Sequence, residues 1–388
     1  MESQIWNKKV LQCIFLLFCI SLMSCKKHVS NDLIVFDVNG NFPIKTLDIE
    51  DVADIEYLIL DATDDNYLFM SFVTMTENYA ICYSSVENEF LFFNRTTGKP
   101  VSKVSRLGNG PGEYTIPAVT VYSEAKDEFF VFDYAAGIKV YGKDGTFKRQ
   151  LPFDRYLYPS TSRAFYDYDE EHLLINCFSF KGGMKDSSFM LISKQDGATE
   201  SIYIPYEEHV SLIITQGMAG GSAQSNHAVR NGKDYLLTDY SSDTVYRFTP
   251  ERELIPVLVR KPSIQKMENK ILLHSWLETS SYLFFSTDGL GFDWDRLKGL
   301  PAKGYLMDKR SGELFQSKVQ MLDYKGKELI IGPSVITKTS SQHTGVIMLS
   351  ALELHKANEE NKLSGKLKEA TEHLTDNDEY VFMILKFK

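Results

Sequence analysis

The feature that most constrains the fold is a glycine turn that recurs at a nearly constant interval along the chain. Each turn follows a short apolar run and leads into another extended segment, at residues 94–98, 142–145, 194–197 and 308–312. The first three closing glycines are spaced 47 and 52 residues apart, and the gap to the fourth is 115 residues, about twice that period. A weaker turn at 249–252 lies near the middle of that gap. Repeats of roughly 40–60 residues built from short strands are typical of β-propeller blades.

One repeat shows the strand pattern clearly. Extended runs at 118–122, 128–133 and 137–141 precede the turn at 142–145, and a fourth run follows at 146–151. An antiparallel meander of this kind has two apolar faces, which are both hidden only if other sheets pack on each side of it. The sequence therefore predicts an all-β, six-bladed β-propeller of four-stranded antiparallel blades. A seven-bladed ring is the alternative. The other units lie at 58–104, 163–204, 226–259, 272–318 and from 319 to the terminus.

The ends of the domain carry two further signals. Residues 352–374 place leucines and an alanine at helical spacing, which predicts a short amphipathic helix before the last strand. The aliphatic run at 380–385 is predicted to close the ring by pairing with an N-terminal strand, at either 34–36 or 56–58. The glycine-rich segment 210–225 interrupts the repeat and predicts a rim loop.

The most specific string is Leu-Gly-Asn-Gly-Pro-Gly-Glu-Tyr at residues 107–114. It resembles the signature of six-bladed, TolB-like and NHL-related β-propeller lipoproteins of Bacteroidetes, and similar strings at 54–61 and 242–247 extend the resemblance over nearly the whole mature chain. Physically, its glycines and proline predict a rigid crossover between blades, in which Glu113 accepts a backbone N–H and Tyr114 packs under the loop. The alternative is an anion-cradling loop, although such a loop carries Lys-Ser or Lys-Thr after its glycines.

The N-terminus predicts a lipoprotein signal peptide. Lys8 and Lys9 precede an apolar stretch that is too short to span a bilayer comfortably. Leu-Met-Ser-Cys then resembles the bacterial lipobox, which implies cleavage before Cys25 and acylation of its thiol. The predicted organisation is a signal peptide at 1–24, a tether at 25–32 and a single propeller domain at 33–388.

The predicted location is the cell envelope, with the membrane contacted through the lipid anchor. Basic residues follow Cys25, and the first acid is Asp32. Because surface-exported lipoproteins of Bacteroidetes tend to carry acids directly after the cysteine, this order favours a periplasm-facing anchor over a surface-exposed one. The net charge of −10 argues against nucleic acid as a partner, since phosphate binding needs a basic surface. Cys82 and Cys177 lie in apolar runs and are predicted to be buried free thiols.

The predicted function is a non-catalytic binding or scaffold module for a glycan, a peptide or an envelope partner protein, with no cofactor and no metal. Its central funnel and rim loops would form the ligand surface. The predicted ligand contacts are Arg106, Tyr114, His227 and Trp294.

The alternative function is a metal-dependent hydrolase or lyase with an axial site. His227, His274 and His343 fall near the starts of inner strands in three different blades, as zinc ligands of a propeller lyase would. Carboxylates at strand ends are the corresponding candidates for calcium. They are Asp133, Asp239, Asp288 and Asp308.

Overall fold

Short strands joined by tight turns dominate the computed structural model. It describes residues 33–61, 71–133, 137–152, 164–177, 188–210, 213–216, 219–222, 226–293, 298–299, 302–329, 331–336, 339, 343–375 and 378–388. The chain divides into Met1–Ile34 and Val35–Lys388, and the sheets belong to the second unit. The predicted signal peptide, the tether and Cys25 lie outside the described residues, as does Trp294.

Three strands and one helical turn precede the first complete blade. They are β1 (Ile34–Asp37), β2 (Ile44–Asp48), α1 (Ile49–Val52) and β3 (Ala53–Leu58). None of these strands pairs with its neighbour in the chain. Each one joins the sheet of a later blade instead.

Blades 1 to 3 are four-stranded antiparallel meanders in sequence order. Blade 1 consists of β4 (Ser71–Met75), β5 (Tyr79–Ser84), β6 (Glu89–Asn94) and β7 (Pro100–Val104). Blade 2 consists of β8 (Pro117–Ser123), β9 (Glu128–Asp133), β10 (Gly137–Tyr141) and β11 (Phe147–Leu151). Blade 3 consists of β12 (Phe165–Asp167), β13 (His172–Asn176), β14 (Phe189–Ser193) and β15 (Thr199–Ile202).

A small hairpin separates blade 3 from blade 4, within the segment predicted as a rim loop. It is formed by β16 (Ile213–Gln216) and β17 (Ala219–Ser222). Blade 4 consists of β18 (Asn226–Asn231), β19 (Asp234–Asp239), β20 (Thr244–Phe248) and β21 (Leu254–Lys261). The first strand of the chain, β1, adds to the edge of this sheet beside β21.

Blade 5 is the largest sheet. Its strands are β22 (Ile271–Glu278), β23 (Tyr282–Gly289), β26 (Lys303–Asp308) and β27 (Leu314–Gln320), with a minor hairpin of β24 (Phe292–Asp293) and β25 (Lys298–Gly299) between the second and third. At the outer edge, β2 pairs with β27 in parallel, and the short β28 (Glu328–Leu329) pairs with it in antiparallel fashion. The helical turn α2 (Pro333–Ile336) follows.

Blade 6 closes the ring by joining the two ends of the domain. Among the described residues its sheet contains β29 (Thr344–Ser350), β30 (Tyr380–Phe387) and the N-terminal β3. The last strand pairs with β3 from Ala53 opposite Phe387 to Leu58 opposite Phe382. The predicted closure is thus confirmed for the run at 56–58, whereas the run at 34–36 belongs to blade 4.

The predicted C-terminal helix is present before the last strand, but it is divided in two. The helices are α3 (Ala351–Glu359) and α4 (Gly365–Glu372). Asn361 between them adopts a φ of 54°, which is incompatible with a continuous right-handed helix. The break lets both Leu363 and Leu367 reach the core between blades 5 and 6.

Side chains on both faces of each blade are buried because successive blades pack face to face. All six residues of β9, for example, are buried. Aromatic rings from consecutive blades touch around the ring, which confirms the six-bladed propeller. Ring pairs between neighbouring blades are Phe92–Phe129, Phe132–Phe165, Tyr168–Tyr235, Trp276–Phe387 and Phe72–Phe382. Cys82 and Cys177 are buried free thiols, as predicted.

Candidate functional site

The loop at 107–114 joins blade 1 to blade 2 and is held by its own residues. Gly110 N donates to Glu113 Oε2 at 2.8 Å, and the carboxylate occupies the space where a side chain on Gly108 would lie. The Tyr114 ring is completely buried, and its hydroxyl donates to Asn88 O at 2.8 Å. These contacts confirm the structural interpretation of the string. They also leave Tyr114 without surface that a ligand can touch in this conformation.

The other predicted ligand contacts are not gathered in one place. Arg106 lies at the start of the same loop, is exposed, and donates from Nε to the carbonyl of Gly145 at 2.7 Å. His227 lies far along the chain on β18, where blade 4 packs against blade 5. The structure therefore brings Arg106 and Tyr114 together and places His227 elsewhere.

The three histidines of the metal hypothesis also separate. His227 and His274 are neighbours, with ring centroids 5.8 Å apart. His343 instead faces the far end of β18, where its Nε2 lies 3.3 Å from Asn231 Oδ1. Within the described part of the chain, no group of three or more histidine, cysteine or acidic side chains is arranged to hold a metal ion.

The strand-end carboxylates each have their own hydrogen-bond partners and do not converge on one another. Asp133 binds Thr115, Asp239 binds Ser188 and Ser241, Asp288 binds His274, and Asp308 accepts from Arg310 N. The contacts of three of these four aspartates shape turns or crossovers, as is usual for aspartate at a strand end. The contact of Asp288 is different, because its partner His274 is part of a longer chain of polar side chains between blades 4 and 5.

This chain, the histidine–tyrosine network, consists of Asp288, His274, Tyr240 and His227. Asp288 Oδ1 lies 2.6 Å from His274 Nε2, and His274 Nδ1 lies 2.5 Å from the Tyr240 hydroxyl. The same hydroxyl lies 3.2 Å from His227 Nδ1. His227 Nε2 lies 3.0 Å from the backbone carbonyl of Ser275 and ends the chain.

Strand geometry explains how these residues meet. His227 and His274 lie on the first strands of blades 4 and 5, β18 and β22, which are in direct contact. Tyr240 follows the end of β19, and Asp288 lies near the end of β23. Each blade thus supplies one histidine from its first strand and one partner from the end of its second.

Burial fixes the protonation of the inner half of the network. Desolvation, and then the nearby charge of His274, lower the pKa of His227 to about 3, so this imidazole is neutral at neutral pH. Burial also raises the pKa of the Tyr240 phenol well above its ordinary value, so it stays protonated. Since a carbonyl oxygen only accepts, His227 Nε2 carries the proton and its Nδ1 accepts from Tyr240.

A count of protons describes the hydrogen bonds in the outer half of the network. The network makes four contacts, and each needs one proton, whereas two neutral imidazoles and one phenol supply three. The fourth proton therefore lies between His274 and Asp288. That shared proton joins the two side chains and fixes the orientation of Asp288.

The outer end of the network opens into a cavity of about 400 Å³, here called the blade-5 cleft. The side chains of His274 and Asp288 are 14% and 29% exposed, whereas the whole of His227 is only 6% exposed. The cleft runs from this pair across blade 5 to β28. Its lining includes Ser286, Lys303, Gln316, Lys318, Leu329 and Ile331.

Two other hollows each contain a charged side chain that is bound by a neighbouring group. One of about 820 Å³ includes Lys386 and Glu56, whose charged atoms are 2.6 Å apart. One of about 320 Å³ includes Arg230, which donates to the carbonyl of Asp167 at 2.9 Å. The blade-5 cleft is distinguished by the hydrogen-bonded His274–Asp288 pair at one end.

Sequence reasoning singled out His227, His274 and Asp288, but it grouped the two histidines with His343 and grouped Asp288 with other strand-end carboxylates. It did not identify Tyr240, Lys303 or Lys318. The signal that was available is a histidine inside an apolar strand, as in Ile271–Glu278, because a buried imidazole requires a hydrogen-bond partner. Which partner it finds depends on the neighbouring blade.

The geometry defines a six-bladed β-propeller with a polar cleft on blade 5. The ring is closed by pairing of the N-terminal β3 with the C-terminal β30. Within that class, the chain belongs to the family described as "Domain of unknown function (DUF4934)", whose model matches residues 33–386. Among proteins of curated function, none matches the chain.

Two solved structures share the fold. The crystal structure of a Bacteroides fragilis protein described as exported is 16% identical, with a TM-score of 0.60, and the match covers 92% of this chain and 99% of that chain. A member of the DUF4221 family from Bacteroides vulgatus is 13% identical, with a TM-score of 0.51 and coverage of 87% and 97%. Both support the resemblance to Bacteroidetes propellers at the level of the fold.

Proposed function

We propose that this chain is an envelope propeller that binds a small ligand in the blade-5 cleft without transforming it. The observation that carries the proposal is the His274–Asp288 pair, which faces the cleft and is immobilised from behind by buried Tyr240 and His227. Small-molecule sites are typically concave, of this size, and lined by apolar groups with a few fixed polar ones.

The same geometry favours binding over catalysis. Both nitrogens of His274 are engaged, so neither is free to act as a general base in this conformation. The Tyr240 phenol is too weak an acid to serve as a nucleophile at neutral pH. What the pair offers a ligand is a set of oriented hydrogen-bond acceptors on Asp288.

The ligand classes that suit such a surface are a glycan, a short peptide or an exposed segment of an envelope protein. Glycan and peptide arrays probed with the purified full chain test this directly. We expect binding to weaken more than about tenfold in Asp288→Asn, which removes the charge that holds His274. The matched control is Glu369→Gln on the exposed face of α4. Array binding that is equal in both variants would contradict the assignment of the cleft.

The location proposed is a lipid anchor at Cys25 that holds the propeller in the periplasm. Its support is the lipobox-like sequence before Cys25 and the exported relative of the same fold. No helix of the described residues is long and apolar enough to cross a membrane. We also propose that the chain is related to TolB-like and NHL-related propellers, on the basis of the string at residues 107–114.

The anchor is tested by Cys25→Ala. We expect this variant to be soluble or to remain unprocessed, whereas the unchanged chain is cleaved and partitions with membranes. Protease added to intact cells reports orientation, and a periplasm-facing propeller is protected. Continued membrane anchoring of a cleaved Cys25→Ala chain would exclude the lipid anchor.

A further inference from the structure

The blade-5 cleft contains two lysines that face each other across a strand pair. In the ladder of β26 and β27, Gly304 lies opposite Ser317 and Tyr305 opposite Gln316. Continuing that register by one residue places Lys303 opposite Lys318. Both lysines are exposed, and both line the cleft.

Neither lysine forms an ion pair with any residue that the structure describes. Several lysines near other strand ends do have an acidic partner close by. These pairs are Lys45–Glu313, Lys103–Glu89, Lys309–Glu278 and Lys386–Glu56, at 2.6 to 3.1 Å. Like charges directly opposite in a sheet are destabilising, so an anion bound between the two ammonium groups would stabilise this arrangement.

The acids of the cleft do not neutralise the lysine pair. Asp288 is held by His274 at 2.6 Å. Glu328, on β28, lies opposite Gln320 of β27. Within the described chain it forms no ion pair with Lys303 or Lys318. Neutral donors are available beside the lysines, because Ser317 and Gln316 line the same space.

We propose that the blade-5 cleft takes a small ligand with an oxyanion, a phosphate or a carboxylate, between Lys303 and Lys318, while the ligand's neutral polar part faces His274 and Asp288. This inference rests on the proposed function and specifies the chemistry of its ligand. The anion relieves the repulsion between the two ammonium groups, and the fixed pair at the other end selects hydroxyl or amide groups. An uncharged analogue satisfies only half of the site.

The test uses matched probes on the full chain. Inorganic phosphate is the minimal probe. Glucose 6-phosphate and glucose form the phosphate pair, and N-acetylmuramic acid and N-acetylglucosamine form the carboxylate pair. Calorimetric titration should show the charged member of at least one pair binding roughly tenfold more tightly than the neutral member, with an affinity that falls as salt is added. The pair that responds identifies which oxyanion the site prefers.

Substitutions locate the effect. Lys303→Gln and Lys318→Gln should each weaken binding of the charged probe roughly tenfold and leave the neutral probe unchanged. Lys366→Gln, on the exposed face of α4, is the matched control and should change neither. Without ligand, each cleft substitution should leave the melting temperature unchanged or raise it slightly, because it removes repulsion.

Three results would overturn the inference. One is equal affinity for charged and neutral probes, and another is binding that is insensitive to both cleft substitutions. The third is no rise in melting temperature with inorganic phosphate or with either charged sugar at millimolar concentration. If array ligands still bind and Asp288→Asn still abolishes that binding, the proposed function stands and only the anionic class is wrong.

Discussion

At the scale of single residues, the distinctive feature is the histidine–tyrosine network between blades 4 and 5. The other pairs of neighbouring blades meet through aromatic rings. His227 and His274 stack between blades 4 and 5, with ring planes 25° apart. A buried polar network is tolerated only when its members are hydrogen-bonded, and Tyr240 meets that condition by bridging the two imidazoles. The consequence is a fixed orientation for Asp288, the member that faces the cleft.

The lowered pKa of His227 predicts a pH-dependent stability. In the unfolded chain this histidine takes up a proton below its ordinary pKa of about 6.5, whereas in the folded chain it does so only near pH 3. Its contribution to stability is therefore complete above the first value and is lost as the pH falls through this window, by up to about 1.4 kcal/mol per pH unit. Urea unfolding at pH 7, 6 and 5 measures the slope.

His227→Gln removes this titration and should flatten the acid side of the stability profile. The matched control is His373→Gln, at the exposed end of α4, which should keep the slope of the unchanged protein. Equal slopes for the unchanged protein and His227→Gln would show that burial does not control this histidine.

At the scale of elements, the recurrent turns owe their shape to a left-handed residue. Gly98, Gly145, Gly197 and Gly312 have φ between 69° and 79°, and the weaker turn uses Arg252 at 67° in the same place. Side chains at the turn entrance support this geometry, since Asn94 Oδ1 accepts from Thr97 N at 2.9 Å. The repeat visible in the sequence is therefore a repeat of one backbone conformation.

Two of these glycines form a matched pair for substitution. Gly312→Ala should cost about 1–2 kcal/mol from the unfavourable φ alone, because no other atom lies within 4 Å of the added Cβ. Gly98→Ala incurs the same strain and also places its Cβ 2.0 Å from the carbonyl oxygen of Ile59, so it should cost about 2 kcal/mol more. Urea midpoints measure both costs. Equal losses would mean that the β3 end moves aside freely.

At the scale of the whole molecule, the ring depends on its last strand. In β30, Phe382 and Ile384 face the core shared with blade 1, while Val381, Met383 and Leu385 face the core shared with blade 5. Its hydrogen bonds to β3 join the two ends of the domain within one sheet. A propeller without this strand exposes two apolar faces at once.

Deleting the last eight residues, 381–388, should therefore abolish cooperative folding rather than fray one end. Thermal unfolding followed by circular dichroism, with binding of a hydrophobic dye, measures the effect. Removing Lys388 alone is the control, because this residue is exposed and lies beyond β30. A truncated chain with an unchanged melting transition would refute closure by strand pairing.

Much of the architecture was predictable because it depends on local sequence features. The turn period, the apolar runs of four to eight residues and the terminal aliphatic strand all act over short distances. Together they indicate the kind of blade and favour six blades over seven. The crossover at 107–114 was predictable for the same reason, since Glu113 and Gly110 are near neighbours in the chain.

Contacts between distant segments were decided by the tertiary structure alone. Two N-terminal runs were equally plausible closing strands, and packing selected 56–58 for blade 6 and sent 34–36 to blade 4. The sequence likewise could not show that His227 meets His274 while His343 lies at the other end of β18. The physical reason is that strand periodicity determines which face a side chain occupies, whereas the ring determines which blade that face meets.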